Sequence, residues 1–210
     1  MTNSDPQISE RTKSEVKTEA ILKGAMKEFL KNGYAATSMD KVAKSAGVSK
    51  ATVYSHFGDK EKLFNAVMQD LVKDKFQTVM GLEKPQSLEQ DPQVVLSAMA
   101  TKMLADAECD RSRQDFMRII IGESGRFPEL AKAYINHVAK PSIEILTKYF
   151  KSHPALELAD PEATVRVMMG TMVYFVILQE MLHGKDIVPL ESERLIKTLT
   201  YLITIELPQL

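Results

Sequence analysis

The chain has one cysteine, Cys109, in 210 residues. A lone thiol excludes a disulfide framework and suits a reducing compartment. No apolar run reaches the roughly 20 residues that a membrane-crossing helix needs; Met168–Leu178 is the longest. The start, Thr2 to Glu10, is polar and does not resemble a signal peptide. A cytoplasmic protein is the expectation. Strand-like alternation is almost absent, as are internal repeats and low-complexity tracts. There is no Gly-x-Ser-x-Gly, no Gly-rich phosphate loop and no Cys/His nucleophile pair, so an enzyme is not expected. His137, His153 and His183 show no ligand spacing with one another or with Cys109, so neither metal nor cofactor is expected.

What is present is helical periodicity and uneven charge. Hydrophobic residues make up 44% and charged residues 26% of the chain, the balance of an ordinary globular protein. Net charge is −1, yet residues 11–56 carry nine Lys/Arg against four acids, a local +5 that leaves −6 elsewhere. A basic segment beside an acidic remainder suggests that the first meets a polyanion. Spacing predicts an all-α chain of about nine helices. After a tail expected to be disordered (1–10), Ile21, Leu22, Ala25 and Phe29 line one helix face, which stops at Asn32-Gly33. A long helix from Asp59 carries Leu63, Phe64, Val67, Met68, Leu71, Val72 and Phe76 as an apolar stripe. Residues 81–91, with Pro85 and no period, read as a linker. Further helices are expected at Pro92–Asp106, Cys109–Gly122, Pro128–Lys151 (interrupted at Pro141), Pro161–His183 and from Leu190 or Glu191 to Leu207.

Residues 37–60 carry the functional signal. Thr37-Ser38-Met39-Asp40 reads as a helix start, followed by Val42, Ala43 and Ala46 at helical spacing. Gly47 then breaks the pattern and Ser49 caps a second short helix, whose Val53 and Phe57 face inward with Val48. This is the pattern of a helix-turn-helix. Lys50, Ala51, Thr52, Tyr54 and Ser55 are left on the outer face, short or hydrogen-bonding side chains suited to a major groove about 12 Å wide. Thr37, His56 and Lys60 are placed to hold flanking phosphates, and Ser38 and Ser49 at the two helix starts complete the DNA-facing set.

At these residues the chain resembles the TetR family of transcriptional regulators. The resemblance runs over about 11–68, through Phe29-Leu-Lys-Asn-Gly-Tyr34, Thr37-Ser-Met-Asp-Lys-Val-Ala43, Ala46-Gly-Val48, Thr52-Val-Tyr54 and Tyr54-x-His-Phe-x-x-Lys60-x-x-Leu63. It implies that Lys50, Ala51 and Thr52 sit over base edges while Thr37, Tyr54, His56 and Lys60 hold the backbone. It also implies a homodimer on a palindromic operator, acting as a repressor and released by a small molecule in a second domain. Domains are therefore expected at 11–58 (DNA binding) and 59–210 (ligand binding and dimerisation). In the cell, a cytoplasmic protein would associate with the nucleoid when bound. Ile119-Ile-Ile-Gly-Glu-Ser-Gly-Arg-Phe-Pro-Glu-Leu-Ala131 looks like the AefR-like branch of the family.

The second half offers candidates of lower resolution. Residues 161–183 are apolar all round, which suits core on one side and a subunit interface on the other. Val165, Met169, Val173 and Val176, with Leu195, Leu199, Leu202 and Ile203 on the last helix, are the expected interface. An apolar effector pocket is expected among Met99, Met103, Phe116, Ile120, Phe127, Tyr134, His137, Met168, Met172, Tyr174, Phe175 and Gln179. Each of these is equally readable as core. Two rival functions stay open: a DNA-coating architectural protein of the same fold, and an enzyme.

Overall fold

The computed structural model describes residues 6–80 and 88–205, with side chains described for 13–71 and 88–205. Every regular element among them is helical. Helix α1 (Pro6–Ala36) begins inside the expected tail, so residues 6–10 are helical rather than disordered; Pro6 suits a first turn whose N–H groups lack partners. Residues 1–5 and most of the expected linker lie outside the described residues. Gly33 interrupts α1 at φ 73°, where its missing Cβ removes the steric penalty.

Then follow α2 (Met39–Ala46), α3 (Lys50–Phe57), α4 (Lys60–Met80), α5 (Pro92–Cys109), α6 (Arg111–Glu123) and α7 (Pro128–Tyr134). A π-turn, Ile135–Ala139, separates α7 from α8 (Lys140–Ser152). The interruption expected at Pro141 therefore falls one turn earlier: the proline sits in the first turn of α8, and the widened π-turn absorbs its missing donor. α9 (Pro161–Val176) passes into a second π-turn, Ile177–Met181, and α10 (Ser192–Thr204) closes the described chain. The helix starts are capped as their residues suggest. Asp91, Asp110 and Asp160 accept from the amides of Gln93 (2.7 Å), Arg113 (3.1 Å) and Ala163 (3.0 Å).

Packing groups the helices into two compact units that do not follow chain order. The first comprises Met1–Leu71 with Asp115–Tyr134, and the second Val72–Gln114 with Ile135–Leu210. In the first, Ile21, Ala25 and Phe29 of α1 are fully buried with Val42, Val53, Leu63 and Phe64. Aromatic rings tie the later segment to this core: Phe116 stacks on Phe64 at 4.8 Å, and Phe127 meets Tyr34 edge-on at 5.1 Å. In the second unit, Leu96, Met99 and Leu104 of α5 pack with Leu146, Tyr149 and Phe150 of α8, and with buried residues of α9 and α10. Ser97 donates to the fully buried Thr200 at 3.2 Å, which pins α5 to α10.

Candidate nucleic-acid interface

The α2–α3 pair is built by local signals at both ends of each helix. Ser38 Oγ accepts from the Lys41 amide at 3.3 Å, and Ser49 Oγ accepts from the Thr52 amide at 3.1 Å. Gly47 closes α2 in the left-handed region at φ 68°. Its side of the pair lies against α1: a Cβ on Gly24 would meet the Ala46 Cβ and backbone N, both at 2.9 Å. Helices that approach this closely hold α2, and through it α3, at one angle. Met39, Val42 and Ala43 of α2 and Val53 of α3 are buried.

Lys50, Ala51, Tyr54 and Ser55 form the exposed face of α3, with Thr52 half-buried beside them. Ser49 and Thr52 share a hydroxyl–hydroxyl hydrogen bond of 2.8 Å, and Ser55 Oγ donates to the Thr52 carbonyl at 2.9 Å. Lys50 Nζ lies between both carboxylate oxygens of Asp40, at 2.8 and 3.0 Å. That hydrogen bond, and the charge behind it, hold the Lys50 ammonium pKa above its ordinary value. His56 is half-buried, with Nδ1 3.1 Å from Thr18 Oγ1. Because that hydroxyl gives its proton to the Ser14 carbonyl at 3.0 Å, the ring nitrogen donates to it. The end of α3 is thereby anchored to α1.

Two of the expected phosphate ligands, Thr37 and Lys60, hold bonds inside the fold. Thr37 is 2% exposed, and its hydroxyl lies 2.7 Å from the Gly33 carbonyl and 3.0 Å from that of Glu28, at the break in α1. Lys60 donates to the carbonyls of Tyr34 (2.9 Å), Thr37 (3.1 Å) and Ala35 (3.4 Å), and its ammonium stands 4.3 Å over the Tyr34 ring. Three acceptors match the three protons of an ammonium. A cation at the C-terminal end of a helix also offsets the partial negative charge of the last carbonyls. Burial pulls the Lys60 pKa down, the cost of holding a charge there. No motif could have shown this, because Lys60 reaches carbonyls 23 to 26 positions away.

The effector candidates divide between the two units. Phe116, Ile120, Phe127 and Tyr134 belong to the first unit; Met99, Met103, His137, Met168, Met172, Tyr174, Phe175 and Gln179 belong to the second. Met99, Met168, Met172 and Phe175 are buried in the second unit's core and Met103 packs against it. Gln179 is buried and donates to the Val188 carbonyl at 2.8 Å, whereas Tyr174 is 63% exposed. An open groove of about 760 Å³ between α8 and the start of α9, bordered by Ile143, Thr147 and Arg166, contains none of the twelve.

The expected interface residues also divide. Val165, Leu199 and Ile203 are buried in the core of the second unit, and Met169, Val176 and Leu195 pack against it. That removes the first three as contact surface. Val173 and Leu202 remain exposed, at 47% and 61%, and Val167, Tyr174 and Tyr201 join them.

Residues 21–67 match the family described as bacterial regulatory proteins, tetR family. Residues 94–198 match the C-terminal domain of AefR-like transcriptional repressors. The chain is similar to YhgD, an uncharacterized HTH-type transcriptional regulator of Bacillus subtilis, with 29% identity over 82% of this chain and 87% of that one. Its fold is similar to a TetR-family regulator from Mesorhizobium loti (TM-score 0.74, 24% identity, 90% of this chain and 96% of the other). It is also similar to the flavonoid-responsive regulator FrrA (TM-score 0.69, 27% identity, 89% of this chain and 94% of the other).

Proposed function

The chain belongs to the TetR family of DNA-binding transcriptional regulators, and from that premise we propose a ligand-released repressor that grips a palindromic operator as a homodimer. The observation that carries the reading is the exposed face of α3, where Lys50, Ala51, Tyr54 and Ser55 stand clear on a helix fixed by caps at both ends. Small and hydrogen-bonding groups on a narrow rod can approach base edges in the major groove. Lys50, Ala51 and Thr52 take the base-reading role, and Tyr54, Ser55 and His56 the flanking contacts. Thr37 and Lys60 serve by holding the frame.

A palindrome is read by two copies related by a two-fold axis. The exposed apolar side of α9, with Val167, Val173 and Tyr174, and Tyr201 and Leu202 of α10, supply the surface for the second copy. An 18-residue stretch within Pro161–Met181 has a mean hydropathy of 1.3 and only 22% of it is buried in one subunit, an apolar surface suited to a partner. The effector site is assigned to the second unit, beside Met99, Met103, Met168 and Met172, whose flexible side chains can re-form around an apolar guest. FrrA is flavonoid-responsive by name, which makes flavonoids and other planar aromatics the first molecules to try.

The test is selection of duplexes from a randomised library by the full-length protein, followed by affinity measurements at several salt concentrations. A two-fold-symmetric consensus with half-sites roughly one helical turn apart, bound with an affinity that falls linearly on a log–log salt plot, is expected. Lys50→Ala should then lose about 1–3 kcal/mol on the selected duplex and less on a shuffled one. A library that shows no enrichment would end the reading. A flavonoid that binds without weakening the complex would end its effector part, since linkage is reciprocal.

A further inference from the structure

Lys50 is the only Lys or Arg on α3, so it carries the sole fixed positive charge of the face proposed to meet DNA. That charge is already neutralised. Asp40, ten positions earlier in the first turn of α2, brackets its ammonium with both oxygens at 2.8 and 3.0 Å. Tyr54 flanks the same ammonium, its ring centroid 5.8 Å away. The two charged side chains are 59% and 62% exposed, so the pair stands in water, where such contacts contribute little. Local structure does not require it. Ser38, not Asp40, caps α2, and Asp40 gains only the mild favour that a helix N-terminus extends to any carboxylate.

A carboxylate on this face is a liability against a polyanion. It repels phosphates and occupies the cation that would meet them. Such a residue makes physical sense if binding to the wrong duplex is what it opposes. We infer that Asp40 is a specificity-determining positioning residue, which holds Lys50 back from random DNA and yields it to a cognate base. Random duplex offers Lys50 phosphates alone, and the exchange of one carboxylate for another anion gains little. A guanine at the right position offers two acceptors, O6 and N7, in a fixed geometry, and that contact outweighs the pair. Because the pair is weak, the transfer is easy. The inference rests on the reading that α3 lies in the major groove.

The experiment compares wild type, Asp40→Asn and Asp40→Glu on two duplexes: one selected by the wild-type protein and a shuffled one of equal composition. Asp40→Asn is expected to bind the shuffled duplex roughly tenfold tighter, with its log–log salt slope steeper by about 0.9 per subunit as one more phosphate is neutralised. The selected duplex gains less, so the ratio of affinities falls, and Asp40→Glu restores the wild-type ratio. Unchanged thermal midpoints accompany these shifts. Equal gains on both duplexes with an unchanged slope would reduce Asp40 to a general repulsive charge and overturn the inference. Weaker binding to the selected duplex would overturn it too, by making Asp40 a supporting contact. If the wild type itself fails to distinguish the two duplexes, the DNA-binding reading falls first.

Discussion

Lys60 matches a DNA-binding motif and is at the same time held within the fold. Its three carbonyl partners are the last acceptors of α1 and its neighbours. Lys60→Met should therefore cost roughly 1–3 kcal/mol, the range for buried polar groups left without a partner. The salt slope on random duplex should stay as in the wild type. Slope and stability measured on the same protein separate the roles, and a slope shallower by one unit per subunit would return Lys60 to the phosphates. Tyr34, beneath that ammonium, is 4% exposed, and burial pushes its phenol up to about 12, with Glu129, Glu61 and Asp59 adding to the shift. In the unfolded chain the phenol ionises near pH 10. Stability from this group is thus whole below pH 10 and is lost as pH rises towards 12. Tyr149 in the second unit is also pushed up to about 12, mainly by burial. Urea midpoints between pH 9 and 12 should fall less steeply in Tyr34→Phe, and least in the double variant with Tyr149→Phe. A slope equal to wild type in both would mean that other groups govern the alkaline limit.

Among the elements, the contact of α1 with the end of α2 sets how α3 is presented. Gly24 is what allows it, since an added Cβ would sit 2.9 Å from both the Ala46 Cβ and its backbone N. Backbone cannot rotate away as a side-chain tip can. Gly24→Ala should gain about 1 kcal/mol of helix propensity and lose more to overpacking, typically 1–3 kcal/mol. A lower thermal midpoint is expected. Gly122→Ala is the control, because nothing lies within 4 Å of its Cβ position in α6. That change should raise the midpoint. A rise in both variants would show that α1 and α2 have slack between them. α9 makes the complementary point: Val165, Met168, Met172 and Phe175, at spacings of three and four, are its buried stripe, which Gln179 continues in the π-turn. Val167, Val173 and Tyr174 on its other side are equally apolar yet exposed.

At the scale of the whole molecule, the proposed association falls to that outward stripe. Val173→Glu with Leu202→Glu should give monomers by sedimentation, with helical circular dichroism unchanged. Operator affinity should fall far more than affinity for random duplex, because two half-sites can no longer be gripped together. Leu199 is unsuited to the same purpose: it is 6% exposed, and a charge there would test folding rather than association. A dimer that survives the Val173/Leu202 pair would move the contact elsewhere on the subunit.

Helix content, the two short helices of the DNA-binding motif and most helix starts were determined by the sequence itself. Those features depend on neighbours a few positions apart: Ser38, Ser49, Asp91 and Asp160 accept from amides two or three residues on, and Gly47 closes its own turn. Short-range hydrogen bonds and 3.6-residue periodicity are written locally, so they can be read locally. Tertiary structure alone decided which apolar face of α9 turns inward, since a helix apolar all round carries no periodic signal to choose between its sides. It alone joined residues 115–134 to the first unit, through rings separated by dozens of positions. It also decided what each lysine reaches. Lys50 finds Asp40 across the turn and Lys60 finds carbonyls at the end of α1, because a long flexible side chain goes to whatever acceptors the packed chain brings within its radius.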